Sequence, residues 1–314
     1  MAEKPVEQYY TRPPKLGKWE GFRTFMWNSE TSQFFGRTGA SWAKILLFYV
    51  LFYVSLLGFF FAMLAIFYQT IDLHTPKWQL ENSLIGSNPG LGFRPMPPES
   101  NVESTLIWYR SSDSENYKYW VEELDKFLEV YRKPNTLTSG GENRQICDYT
   151  SDHKGEKVCD VMLSLFGNCT KENKYSYHRA SPCIFLKINK IFNWIPDYYN
   201  DTESLPENMP KDLKTFIGTR SQNEMNTVWV SCEGENPADV ENIGPIQYYP
   251  THGFPGFYFP YKNLDGYLSP IVAVWFKRPT TGVLINIECK AWARNIHHDR
   301  QERRGSVHFE LMVD

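Results

Sequence analysis

"LLFYVLFYVSLLG", residues 46–58, sits inside the one long apolar run of the chain, and its reading decides the rest of the architecture. From Ile45 to Tyr68 there is no charged residue, and only Ser55 is polar apart from the tyrosine hydroxyls. As a helix this run would span roughly 36 Å, enough to cross a hydrocarbon core of about 30 Å with some tilt. The length, the boundary at Lys44 and the crowding of aromatics set aside a buried helix of a soluble core. Tyr49 and Tyr53 lie one helical turn apart, with Tyr53 well inside the run. A tyrosine hydroxyl normally sits at the membrane–water interface, so the pattern asks for more than a lipid anchor.

Charge on either side of the run sets orientation. Arg23, Arg37 and Lys44 precede it, whereas the residues just after Ile71 carry only Lys77. The positive-inside tendency puts the N-terminus in the cytoplasm and residues 72–314 outside. A long polar segment precedes the run, and the run exceeds a signal-peptide core, which favours an uncleaved type II signal anchor. The expected organisation is a cytoplasmic tail over 1–44, a transmembrane signal-anchor helix over 45–71, a stalk over 72–104 and an ectodomain over 105–314.

All six cysteines, Cys147, Cys159, Cys169, Cys183, Cys232 and Cys289, fall on the outer side. An even number confined there points to three disulfides, with the pairing left open. No CxxC occurs, and the spacings are too wide for a zinc knuckle. Asn168-Cys169-Thr170 and Asn200-Asp201-Thr202 are glycosylation sequons on the same side, predicting N-linked glycans on Asn168 and Asn200. A net charge of −3 with dispersed basic residues excludes a nucleic-acid partner.

The tail opens with Pro5, Pro13 and Pro14 and reads as mostly flexible. In "FRTFMWNSETSQFFGRTGASWAK" (22–44), Phe22, Phe25, Trp27, Phe34 and Phe35 belong either in the inner membrane interface or against a partner. Gly36 and Gly39 argue against one continuous helix there. "SNPGLGFRPMPPES" (87–100) reads as an extended stalk. Trp120, Leu124, Phe127, Leu128 and Tyr131 recur at helical spacing in "NYKYWVEELDKFLEVY" (116–131), the one convincing helix of the outer part. "TVWVSCEG" (227–234), "PIVAVWF" (270–276), "VLINIECKAWA" (283–293) and "SVHFELMV" (306–313) read as strands. Proline and glycine clusters separate them, above all "YYPTHGFPGFYFPYKNLDG" (248–266). The outer part is long enough to bury a core, as one mainly β domain.

Enzyme chemistry finds little support. Tail, anchor, stalk and glycosylated outer domain are also the plan of type II glycosyltransferases, but their Asp-x-Asp metal motif is absent, "DVE" (239–241) being the nearest match. Gly-x-Ser-x-Gly and His-Glu-x-x-His are absent too. His297, His298 and Asp299 lack a third ligand at suitable spacing for a metal. The carboxylates of "VEELDKFLE" read as the wet face of the helix. A freestanding adhesion glycoprotein is the other alternative; it would not need a polar-aromatic face inside the bilayer.

On a wheel at 100° per residue, Ser55, Gly58, Ala62 and Ala65 fall within about 80° of one another. Small residues so placed let another helix approach closely. Tyr49, Tyr53, Leu56, Phe60, Met63 and Phe67 form a bulky stripe on nearly the opposite side. Hydroxyls left unpartnered in hydrocarbon cost roughly 1–3 kcal/mol each. The helix is therefore expected to pack against other helices, as in an accessory subunit.

The chain resembles the β subunits of sodium/potassium-transporting ATPases and, more distantly, those of proton/potassium pumps. The resemblance rests on "WNSETSQFFGRTGASWAKILLFYVLFY" (27–53), "YSYHRASPCIFLKINKIFNWIP" (175–196), "YYP" (248–250), "GYLSPIVAVWF" (266–276) and "IECKAWARNI" (287–296). "YYPTHGFPGFYFPY" carries more glycine and aromatic residues than the vertebrate pattern and is similar to an invertebrate β subunit. The resemblance implies pairing of consecutive cysteines, Cys147–Cys159, Cys169–Cys183 and Cys232–Cys289, and an immunoglobulin-like β-sandwich ectodomain with one longer helix. It implies a plasma-membrane location and no cofactor on this chain besides glycans, with ATP and Mg acting on a catalytic α subunit. The implied partners are that α subunit, a small single-span regulatory subunit and the lipid bilayer. Tyr49, Tyr53, Phe60, Ser55, Gly58 and Ala62 would meet α in the membrane, and Tyr248, Tyr249, Pro250 and Tyr267 would meet an outer α loop. The implied work is to fold and stabilise α, deliver it to the surface and tune potassium binding.

Overall fold

The computed structural model describes residues 17–101, 104–132, 143–150, 157–299, 301–302 and 304–314. The expectation of flexibility around Pro5, Pro13 and Pro14 lies outside the described residues. The chain divides into two units, Met1–Asp72 and Leu73–Asp314.

In the first unit, the tail expected to be mostly flexible is folded from Lys18 onward. Helix α1 (Lys18–Met26) leads into an antiparallel meander of β1 (Trp27–Asn28), β2 (Gln33–Phe34) and β3 (Arg37–Thr38). Gly36 turns the chain between β2 and β3 at φ 69°, a left-handed conformation that suits glycine. No continuous helix runs through 22–44, as the two glycines suggested, and Gly39 is the first residue of the next helix, α2 (Gly39–Thr70). At 1.5 Å per residue α2 is about 48 Å long. None of its residues is buried within the chain. An apolar helix of that length, bare on every side, satisfies its own backbone and has the form of a membrane span.

The second unit holds β4 (Leu91–Arg94), β5 (Leu106–Tyr109), α3 (Ser114–Arg132), β6 (Arg144–Gln145), β7 (Val158–Cys159), β8 (Cys183–Ile188), α4 (Lys211–Gly218), β9 (Thr227–Gly234), α5 (Pro237–Asn242), β10 (Ile246–Tyr249), β11 (Gly253–Pro255), β12 (Ile271–Phe276), β13 (Leu284–Trp292) and β14 (Ser306–Val313). One sheet runs β10-β12-β8-β4 and the other β11-β9-β13-β14-β5, with β5 parallel to β14 and the other pairs antiparallel. The sheets face each other across one core. Phe309 of β14 meets Phe93 of β4 at 5.0 Å and Phe276 of β12 at 6.2 Å between ring centroids.

Alternation explains which side of each strand is inward. Along β13, Ile285, Ile287 and Cys289 are buried between exposed or partly exposed neighbours, and the strand ends with Ala291 and Trp292 both buried. Strand β9 is buried on both faces: Val228, Val230 and Cys232 enter the main core, whereas Trp229 joins Leu213 and Ile217 of α4 in a second cluster. Helix α3 lays Tyr117, Trp120, Leu124 and Leu128 on the core, and the Trp120 indole N–H donates to the Trp108 carbonyl at 2.9 Å.

The expected stalk needs correction. Within 87–100, residues Leu91–Arg94 form an edge strand of the four-stranded sheet, with Leu91 and Phe93 in the core. Leu-x-Phe is a short period-2 signal, and the surrounding prolines and glycines masked it. The segment around 248–266, read as a divider, supplies edge strands β10 and β11 to the two sheets.

Candidate interaction surfaces

On α2, Tyr49 and Tyr53 stack at 6.2 Å between ring centroids, 24° between planes. Phe48 and Phe52 stack beside them at the same 6.2 Å. Tyr49 is 50% and Tyr53 56% exposed, and Phe60 on the same stripe is equally open at 57%. Across the helix lie the small residues Ser55, Gly58 and Ala62, and beyond the helix's own backbone nothing stands within 4 Å of where a Gly58 Cβ would be. The helix thus offers two chemically distinct sides. One presents rings and hydroxyls; the other permits close backbone approach.

The second surface is the edge formed by β10 and β11. The Cys232 amide donates to the Tyr248 hydroxyl at 2.8 Å, and the Tyr248 ring stacks on His252 at 3.8 Å. The Tyr249 ring covers Gly167, where an added Cβ would stand 2.6 Å from a ring carbon and φ is 54°, so this position needs glycine on both counts. Tyr249 joins Pro250 through a cis peptide bond. Tyr267 belongs to a different aromatic group: its ring lies 4.9 Å from Tyr261, and the Lys190 ammonium sits 4.9 and 5.1 Å from the two ring centroids. An edge strand with half-buried aromatics offers both free backbone groups and apolar area to a partner.

Three disulfides shape the unit that carries this edge. Cys147–Cys159 joins β7 to the segment after β6, Cys169–Cys183 ties a turn to β8, and Cys232–Cys289 links directly paired residues of β9 and β13. Asn168 precedes the second bridge and is half-buried, while Asn200 is exposed on a loop.

Residues singled out for chemistry turn out to be structural. Asp239, the start of "DVE", is buried; it completes a capping box with Asn236 on α5 and accepts the Asn286 amide of β13 at 3.1 Å. His298 lies against Trp292 and pairs with the Ala291 carbonyl at 2.8 Å. Among the described residues no group of three or more His, Cys, Asp or Glu is placed to hold a metal ion. Asp125, expected on the wet face of α3, is engaged by Tyr175 at 2.6 Å, Arg132 at 2.8 Å and Lys171 at 3.0 Å. Burial opposes its charge, yet these bonds hold the carboxyl below its ordinary range. Sequence reading missed His252, whose ring is clasped by Tyr248 and Phe216; a lone histidine in a proline–glycine stretch gives no signal of burial.

A profile of the family described as sodium/potassium ATPase beta chain matches residues 12–309. The chain belongs to that family. It is 55% identical over 311 residues to sodium/potassium-transporting ATPase subunit beta-2 of Drosophila melanogaster, covering 98% of this chain and 96% of the relative. It is 41% identical over 303 residues to subunit beta-1 of the same organism, covering 96% and 95%. To subunit beta-2 of Homo sapiens it is 32% identical over 309 residues, covering 94% of each. As a β subunit of the invertebrate kind, it is a non-catalytic accessory chain of a membrane pump, associated with the catalytic α subunit that carries the enzymatic site.

Proposed function

We propose that this β subunit folds and stabilises the catalytic α subunit, carries it to the plasma membrane and tunes its potassium binding. The observation that carries this reading is the stacked pair Tyr49–Tyr53, half exposed on a helix that buries nothing within its own chain. Rings bearing hydroxyls at membrane depth are stabilised when a neighbouring helix supplies acceptors and apolar contact. In this reading Tyr49, Tyr53 and Phe60 face α, and Ser55, Gly58 and Ala62 take a second helix, from α or from a small single-span regulatory subunit. Tyr248, Tyr249, Pro250 and Tyr267 meet an outer loop of α.

The proposed topology is type II, with the tail over 1–44 cytoplasmic, the span within 45–71 and the remainder extracellular. Any free stalk ends before Leu91, where β4 enters the sheet. Glycans sit on Asn168 and Asn200, and the disulfides keep the outer edge in shape for docking.

Detergent co-purification through a tag on this chain, with mass identification, tests the reading. A stoichiometric P-type ATPase chain is expected, and Tyr49→Phe with Tyr53→Phe should lower its recovery. Recovery of this chain alone, folded and at the cell surface, would overturn the proposal in favour of a freestanding adhesion protein.

A further inference from the structure

The aromatics before the span remain unassigned. At 100° per residue, Trp19, Phe22, Phe25 and Met26 of α1 share an arc of about 120°, and Glu20 and Thr24 lie opposite. Trp19 is 84% exposed, Phe22 57% and Phe25 53%. Trp27 and Phe34 of the meander are also exposed. So much bare aromatic surface on a short folded element marks an interaction site.

Two observations fix where this surface stands. The meander is tied to the first turns of α2, because the Trp42 indole N–H donates to the Phe34 carbonyl at 2.8 Å. Helix α1 is tied to the meander in turn: Phe25 packs on Phe35 at 5.6 Å, and the Phe35 amide donates to the Met26 carbonyl at 3.3 Å. Trp42 precedes Ile45, where the uncharged run begins, by three residues, or about 4.5 Å along a helix. The module is therefore held at the hydrocarbon boundary, the depth at which tryptophan and phenylalanine rings are most stable. Its charge fits an anionic surface: residues 17–44 carry Lys18, Arg23, Arg37 and Lys44 against Glu20 and Glu30, four cations to two anions.

We infer that α1 and the meander form an interfacial foot, laying Trp19, Phe22 and Phe25 into the anionic lipid surface of the cytoplasmic leaflet. The leaflet assignment rests on the topology proposed above. The foot fixes the depth and rotation of α2, and so which side of the span the Tyr49–Tyr53 pair presents to α.

All six natural cysteines of this chain are paired, so an introduced cysteine is its one free thiol, and an α subunit stripped of reactive cysteines makes it a unique labelling site. Spin labels at Trp19→Cys and Phe22→Cys on one face, and at Glu20→Cys and Thr24→Cys on the other, are read in the intact αβ pair in vesicles of phosphatidylcholine and phosphatidylserine. The expected result is a several-fold higher ratio of oxygen to nickel-chelate collisions on the aromatic face, falling when phosphatidylserine is left out. Nickel-dominated collisions on both faces would overturn the foot. Shielding of both faces from oxygen and nickel alike would overturn it too, assigning the surface to protein contact. A high ratio indifferent to phosphatidylserine would overturn the anionic preference. An impermeant thiol reagent reaching Thr24→Cys from outside intact cells would instead sink the topology, and failure of α to co-purify would sink the accessory reading; both are separate from lipid contact.

Discussion

The backbone N–H of Cys232 in one sheet donates to the hydroxyl of Tyr248 in the other at 2.8 Å. Strand β11 covers the outer edge of β9 only from Thr227 to Trp229, with one further bond from the Val230 amide to the His252 carbonyl. At Cys232 the strand's open edge is closed by a tyrosine. A disulfide and a proposed docking residue would be separate matters in sequence; here one hydrogen bond joins them.

Tyr248→Phe keeps the ring and its stack on His252 but leaves the buried Cys232 amide without its acceptor. The expected loss is about 1–3 kcal/mol of local stability. Amide exchange at Cys232 in the intact αβ pair should accelerate by the corresponding factor, while β8 and β12 exchange as before. Unchanged exchange would mean that water replaces the hydroxyl.

Replacing both Cys232 and Cys289 by serine opens the longest of the three loops, with a sequence separation of 57. The chain-entropy account gives a loss of about 4 kcal/mol. Recovery of the αβ pair should fall steeply, and surface labelling of the unassembled chain should fall with it. Full recovery would remove any need for the bridge in assembly.

His252 gives the outer edge a pH response. Burial holds its pKa down from 6.5 to about 4, and among the described residues its Nε2 has no hydrogen-bond partner. As pH falls below 6.5 the unfolded chain takes up a proton that the folded chain refuses until about 4. Stability fully present above 6.5 therefore declines across that window, by up to about 3 kcal/mol. His252→Phe preserves the stack with Tyr248 and Phe216 and should remove this share of the decline. Exchange of β9 and β10 amides, compared at neutral and mildly acidic pH, should be less acid-sensitive in the variant than in the natural chain.

Gly58→Leu places a branched side chain where the chain itself has empty space. The span should insert normally and the ectodomain should keep its three disulfides. Co-purification of a partner through the tag should drop, because the small-residue side is obstructed. Equal recovery would assign that side to lipid.

Much of the architecture was legible because long apolar or alternating runs leave few choices. The span was visible from its uncharged length, and the strands of β9, β12, β13 and β14 from alternation or β-branched density. What escaped was short or punctuated by turn residues. Strand β4 hides its Leu91–Phe93 signal among prolines, and β11 is only Gly253–Pro255, a sequence that local propensity would send to a turn. Tertiary pairing with β9 overrides that propensity. The interaction surface was partly legible in the same way. The tyrosine stripe follows from helical spacing, but nothing near Gly167 or His252 in sequence announces that Tyr249 and Tyr248 rest on them.

Among the described residues, strand β5 pairs only with β14, in parallel, at the margin of the five-stranded sheet. Trp108 and Asp314, joined by a hydrogen bond across that pair, are 206 positions apart. At cellular synthesis rates the first strand emerges roughly 10–40 s before its partner exists. During that wait its edge is a sticky template, exposed in the secretory lumen under the type II topology proposed above and open to holdase chaperones or to mispairing. The order of synthesis thus builds a delay into biogenesis, a checkpoint timed by the ribosome.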